Sequence, residues 1–137
     1  VAEYDGDPYK RLVEMGRIAV KKGGIIKGIL LHQGESNTGE KDWPLKVKKV
    51  YDSLLKDVGL APNSVPLLEG EVVHADQKGV CASMNEIIQT LPEVIPNSYV
   101  ISSAGCKAGP DNLHFSFEGY KMLGERYAEK MISLLKK

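Results

Sequence analysis

With 137 residues and a mass of 15.0 kDa, the chain is of single-domain size and long enough to bury roughly two-thirds of its unfolded surface. Apolar residues at 42% and charged residues at 26% exclude a disordered or low-complexity chain, and 18 basic against 18 acidic residues leave no basic excess to drive counterion release on DNA or RNA. No apolar run approaches the ~20 residues of a membrane-spanning helix, so neither a nucleic acid nor a membrane is expected as a partner.

In chain order, Asp7-Pro8 is a helix start, a capping carboxylate followed by proline at the first helical position. Tyr9, Leu12, Val13, Gly16, Ala19 and Val20 recur at helical spacing up to Gly23-Gly24, which predicts a helix over 8–22. Residues 25–31 form a short β-branched apolar run interrupted by Lys27 and Gly28, the pattern of a strand covered on both faces, and it stops at His32. Asp42 can cap a second helix with Pro44 in its first turn, and Val47, Val50, Tyr51, Leu54, Leu55 and Val58 form its apolar stripe before Gly59. Residues 65–73 read as a second strand broken by Glu69-Gly70-Glu71, and Met84, Ile87, Ile88 and Leu91 as a helix after it. Tyr99 to Ser102 is a third strand. Beyond a glycine-containing loop, Ser116 is placed to cap a closing helix through Tyr120, Leu123, Tyr127, Met131 and Leu135.

Strands and helices alternate with about 30 residues from strand to strand, the repeat of βαβ crossovers. The expected fold is therefore α/β, a three-layer α/β/α sandwich with a parallel sheet, occupying residues 1–137 as part of one domain. Three strands are few for such a sheet, which commonly has about five or six. Together with Val1 in place of an initiating methionine, this leads us to expect a sheet that lacks its first strand.

Ligands of open parallel sheets lie beyond the carboxyl ends of the strands, so the loops after Leu31, Val73 and Ser103 should share one surface. Those loops hold all three histidines. In Asp111-x-x-His114 the carboxylate is close enough to accept the imidazole Nδ1 proton, fixing the tautomer and freeing Nε2 as a general base. A helix-entry histidine after a turn-forming aspartate accounts for the same spacing. In Gln33-Gly34-Glu35 the glycine permits a sharp turn at the strand end, the Gln33 amide can donate to a developing oxyanion, and Glu35 can orient a histidine or a neighbouring loop. A polar turn is the bland counterpart of that motif.

Taken together, Gln33-Gly34-Glu35-Ser36 and Asp111-x-x-His114-Phe115-Ser116, leading into Gly119-Tyr120-x-x-Leu123-Gly124-x-Arg126-Tyr127-Ala128, resemble the SGNH-type carbohydrate acetylesterases. The branch is that of the acetylxylan esterases of carbohydrate esterase family 6 and the sialate O-acetylesterase-like proteins. The resemblance implies a serine esterase acting on acetylated carbohydrate, with His114 as general base, Asp111 as its acid, Glu35 as an alternative acid and Gln33 in the oxyanion hole. It implies no metal or cofactor. Members of the family carry the nucleophilic serine in a Gly-Gln-Ser-Asn motif after the first strand, and nothing here matches it. The nearest string, Gly34-Glu35-Ser36-Asn37, departs from the nucleophile elbow because Gly39 follows Ser36 by three residues rather than two. The expectation is a C-terminal half whose serine, and whose partner strand, lie in an N-terminal fragment of the same enzyme.

Three other readings are open. His32, His74, His114, Asp76 and Asp111 could converge on a metal ion, although no H-E-x-x-H pair anchors them. Cys106 could act as a thiol nucleophile with His114, and Cys81 and Cys106 fit one disulfide or two buried thiols equally well. The chain could also be a binding or complementation fragment without catalysis, since an incomplete sheet exposes an edge and apolar surface. Trp43, Tyr4 and Tyr9 could offer stacking faces for a sugar ring, although aromatic residues near helix starts are more often partial core.

Overall fold

A computed structural model describes residues 6–137. Its elements are α1 (Asp7–Lys21), β1 (Ile29–Leu31), α2 (Trp43–Asp57), β2 (Leu67–Gly70), α3 (Met84–Ile88), α4 (Leu91–Val94), β3 (Ser98–Ile101) and α5 (Phe117–Leu135), with 3-10 turns at Glu35–Asn37 and Ala75–Gln77. The three strands are parallel in the order β1-β2-β3, with Leu30 opposite Leu68 and Leu68 opposite Tyr99. The expected α/β architecture is the one observed.

Each face of the sheet has its own core. On one side Trp43, Val47, Tyr51 and Leu55 of α2 pack with Met84, Ile88, Leu91 and Ile95 over Leu67 and Val72. On the other, Leu68 and Ile101 meet Phe115 and Leu123, with Tyr127 and Met131 of α5 alongside. Burial of such side chains at ~25 cal/mol per Å² drives the assembly, and it fixes which strand residues face which helix. α1 is tied to the end of α2, where Tyr9 Oη donates to Asp57 Oδ2 at 2.6 Å and Arg17 Nε to the Asp57 carbonyl at 2.8 Å.

Four expectations change in detail. Helix α1 starts at Asp7 itself, with Gly6 in the capping position and no side-chain cap, and Asp42 likewise stands at the cap of α2 without a side-chain bond. The strand expected over 25–31 is only Ile29–Leu31, an edge strand with Leu30 62% exposed, and is not covered on both faces. Glu69-Gly70 does not break the second strand but lies inside it. The helix expected through Leu91 is two, α3 and α4. Pro92 has no N–H to continue the ladder and clashes with the turn before it, so the first helix stops and a second begins with proline in its first turn.

Candidate functional site

His114 sits on a loop whose shape the backbone dictates. Ala108 and Phe115 form an antiparallel bridge, and the Gly109 N–H donates to the His114 carbonyl at 2.7 Å, closing a narrow excursion with Asp111 and Asn112 at its tip. Asn112 adopts φ +54°, the left-handed region that asparagine tolerates better than most residues. Asp111 Oδ1 accepts the N–H groups of Leu113 and His114, each at 3.0 Å, while Oδ2 meets His114 Nδ1 at 2.6 Å. The loop then runs into α5, where Ser116 Oγ accepts the Gly119 N–H at 3.1 Å. A Cβ at Gly119 would come within 2.4 Å of the Lys107 carbonyl, so only glycine lets the helix start this close to the loop.

The pair is open to solvent, with side-chain exposures of 59% for His114 and 50% for Asp111. Hydrogen bonds from His114, first from its ring and then its backbone, hold Asp111 far below the usual carboxylate range. The Asp111 carboxylate in turn raises the imidazole above its ordinary value, and Glu35 adds to this through space. An NMR titration of the His114 ring is expected to find its midpoint above about 6.5. Asp111→Asn should bring it down, because the charge that favours the imidazolium is gone.

The strand-end motif is built around Gln33. Its Oε1 accepts the indole N–H of buried Trp43 at 2.6 Å, and its Nε2 donates to Asn37 Oδ1 at 2.7 Å and to Ser36 Oγ at 3.1 Å. The Gln33 amide is thus the hub of its own loop, with both donors engaged. Gly34 lies against Met84 and Ile88, each with a side-chain atom 3.2 Å from where a Cβ would be, so a larger residue there would have to push both aside by a few tenths of an ångström. Glu35 faces His32 at 3.6 Å, and this contact holds its carboxyl below the usual range. His32 itself is braced by the rings of Phe115 and Tyr120, at centroid distances of 5.8 and 6.5 Å. Asp111, not Glu35, is therefore the carboxylate hydrogen-bonded to His114.

Two glutamates beneath this surface were not singled out from sequence. Glu69, fully buried in β2, accepts the Gln33 N–H on Oε1 at 3.0 Å. Burial pushes its carboxyl well above the usual range, with the Gln33 bond opposing. Glu71 accepts from the Ser103 N–H at 3.0 Å and is bonded also to His74 Nε2 and Gln89 Nε2, tying the loops after β2 and β3 to α3. Their signal was a pair of acids inside the apolar run Leu67 to Val73, where only a paired or neutral carboxyl can be buried.

The upward shift of the Glu69 carboxyl has a consequence for stability. A carboxyl whose folded pKa lies above its unfolded value takes up a proton on folding, so its contribution is full below about pH 4.3 and is lost as pH rises through the folded value. Glu69→Gln keeps the acceptor for the Gln33 N–H and removes the titration. Its urea midpoint relative to the parent should therefore climb between pH 5 and pH 9. A difference that stays flat over that range means that Glu69 is not held protonated.

The alternative sites do not assemble. His32 pairs with Glu35, His74 with Glu71 and His114 with Asp111, and among the described residues no three His, Cys, Asp or Glu side chains stand together as metal ligands. Asp76 is exposed on the 3-10 turn at Ala75–Gln77. Cys81 and Cys106 are both free. Cys106 is buried, which pushes its thiol up and away from a nucleophile's range. Ser36 Oγ bonds Gln33 and Asn37, with no histidine among its partners. Trp43 is wholly buried and offers no sugar a face, Tyr9 is engaged by Asp57, and Tyr4 lies outside the described residues.

A family model described as carbohydrate esterase, sialic acid-specific acetylesterase, matches residues 2–133. The solved structure of a protein from Arabidopsis thaliana superposes with a TM-score of 0.80 at 22% sequence identity, covering 96% of this chain and 54% of that one. The chain thus spans about half the length of that structure, and the likeness speaks for the fold.

Proposed function

Because the chain belongs to the sialic acid-specific acetylesterase family of carbohydrate esterases, we propose that it carries the general-base side of a serine esterase that removes O-acetyl groups from acetylxylan or a related acetylated sugar. The observation that supports this reading best is the 2.6 Å contact of His114 Nδ1 with Asp111 Oδ2 in a solvent-open loop at the carboxyl edge of the sheet. With Nδ1–H directed at the carboxylate, Nε2 is the basic nitrogen.

A serine hydroxyl attacks the acetyl carbonyl, His114 Nε2 accepts its proton, and Asp111 steadies the imidazolium. The proton then passes to the leaving sugar oxygen, and water, activated by the same nitrogen, releases acetate. Gln33 fits the oxyanion role if Nε2 exchanges its exposed bond to Ser36 for the oxyanion while keeping the shorter one to Asn37. Glu35 orients His32 and adds negative potential. We place the nucleophile in a Gly-Gln-Ser-Asn loop outside residues 1–137. Neither a metal nor a cofactor enters these steps.

Hydrolysis of an aryl acetate tests the reading. The 137-residue chain should be nearly inactive alone and active in an assembly that contains the serine, and a serine-directed organophosphate should label the second polypeptide. Full activity in a single species of 15.0 kDa would move the nucleophile to Ser36. Binding of acetylated oligosaccharide with no hydrolysis in any assembly would favour a non-catalytic complementation or binding fragment, a reading that the absence of a serine bonded to His114 among the described residues also supports.

A further inference from the structure

The loop that carries His114 makes its hydrogen bonds almost entirely within itself. Gly109 N–H goes to the His114 carbonyl, Asn112 N–H to the Gly109 carbonyl at 3.1 Å, and the N–H groups of Leu113 and His114 to Asp111. Among the described residues, a single hydrogen bond reaches residues 109–114 from outside the loop: Val80 N–H donates to the Asn112 carbonyl at 3.0 Å. The next residue touches the other motif, because Cys81 Sγ donates to the Glu35 carbonyl at 3.6 Å. Two adjacent residues that belong to neither motif thus bridge the two loops. The Val80 side chain is 65% exposed, so the residue acts there through its backbone.

Val80 stands on a firm support. The His74 carbonyl accepts the N–H groups of Gln77 and Gly79 at 3.1 and 2.9 Å, and the His74 ring is bonded to buried Glu71. Just before it, Asn85 of α3 binds both the N–H and the carbonyl of Val72, at 2.8 and 3.0 Å. A Cβ on Gly79 would lie 2.0 Å from the Val73 carbonyl oxygen, so only glycine lets the chain turn this tightly towards Val80. An exposed loop tip with few outside contacts opens readily, whereas a catalytic group has to be held within roughly 0.5 Å of its productive position by the residues around it.

We propose that Val80 is a positioning residue for the general base: its backbone N–H fixes the tip of the loop that carries His114, and its neighbour Cys81 sets the distance of that loop from Glu35. The separation matters because Glu35 acts on His114 through space. The inference rests on the esterase reading only where activity is measured.

The test removes the N–H in two ways, by replacing the Val80 amide with an ester that keeps the side chain, and by Val80→Pro. Val80→Ala keeps the N–H and serves as the conservative variant. In the 137-residue chain, amide hydrogen exchange at Leu113 and His114 should become at least tenfold faster in the ester and in Val80→Pro, and stay within about twofold of the parent in Val80→Ala. The urea midpoint of the ester protein should stay near that of the parent. In the serine-containing assembly the ester should lower kcat for an aryl acetate at least tenfold with KM within about twofold, and leave the shape of the pH–rate profile unchanged, because Asp111 stays beside His114. The proposal is overturned if exchange is unchanged without the N–H, if Val80→Ala speeds it as much as Val80→Pro, or if the ester keeps full kcat in an assembly that His114→Ala inactivates. Should His114→Ala itself be fully active, the esterase reading falls, and the exchange rates alone decide the role of Val80.

Discussion

His114→Ala is expected to lower kcat for acetyl-ester hydrolysis by about four orders of magnitude in the serine-containing assembly, with KM little changed. Without the imidazole the attacking hydroxyl keeps its proton, and the leaving oxygen has no acid. Base and nucleophile act as one unit, so losing either forfeits most of what both provide. Replacing the carboxylates separately then identifies the acid. Asp111 is hydrogen-bonded to His114 Nδ1, so Asp111→Asn should cost about 10³ or more in kcat and move the acid limb of the pH–rate profile down as the imidazole pKa falls. Glu35 reaches His114 only through space, and Glu35→Gln should cost tenfold or less. Equal mild losses for the two variants would refute a triad of this kind.

The second large effect is structural and reaches the site through one hydrogen bond. Trp43→Ala empties a fully buried position and should cost about 3–5 kcal/mol of stability. Trp43→Phe keeps most of the ring and removes only the N–H that Gln33 Oε1 accepts. It should still cost about 1–3 kcal/mol, because a part-buried acceptor is left without its partner. Urea denaturation checks both. A Trp43→Phe protein as stable as the parent would show that Gln33 is held by its other bonds and that the indole matters only as volume.

Local patterns in the chain were legible from its sequence, and long-range pairings were not. Alternation of apolar runs with helical stripes was sufficient for the α/β sandwich, and the D-x-x-H spacing for the His114–Asp111 contact, because both are local patterns. The carboxyl edge of a parallel sheet is also a place where loops must meet, so the nearness of Glu35 to His114 followed from topology. Pairings set by long-range packing were not legible. For Trp43, core was the more frequent reading of an aromatic residue near a helix start and is the one observed, but that its indole N–H serves Gln33 ten residues earlier was not visible. Glu69 read as a strand breaker, since nothing local shows that a buried N–H from residue 33 awaits it. The split at Pro92 could have been read from the sequence, because proline's missing donor is a local property.

Tyr127 Oη donates to the Leu31 carbonyl across 96 residues of sequence, and α5 also supplies the cap and the ring contacts that set the base loop beside His32. During synthesis the candidate site therefore cannot close until the last described helix has left the ribosome. Until then the sheet can form with α2, α3 and α4 on one side, while Leu68 and Ile101 on the other lie bare. A nascent chain in that condition is an aggregation hazard, and contacts of such long range make folding slow. Truncation within α5 should accordingly be felt first as poor recovery of soluble protein.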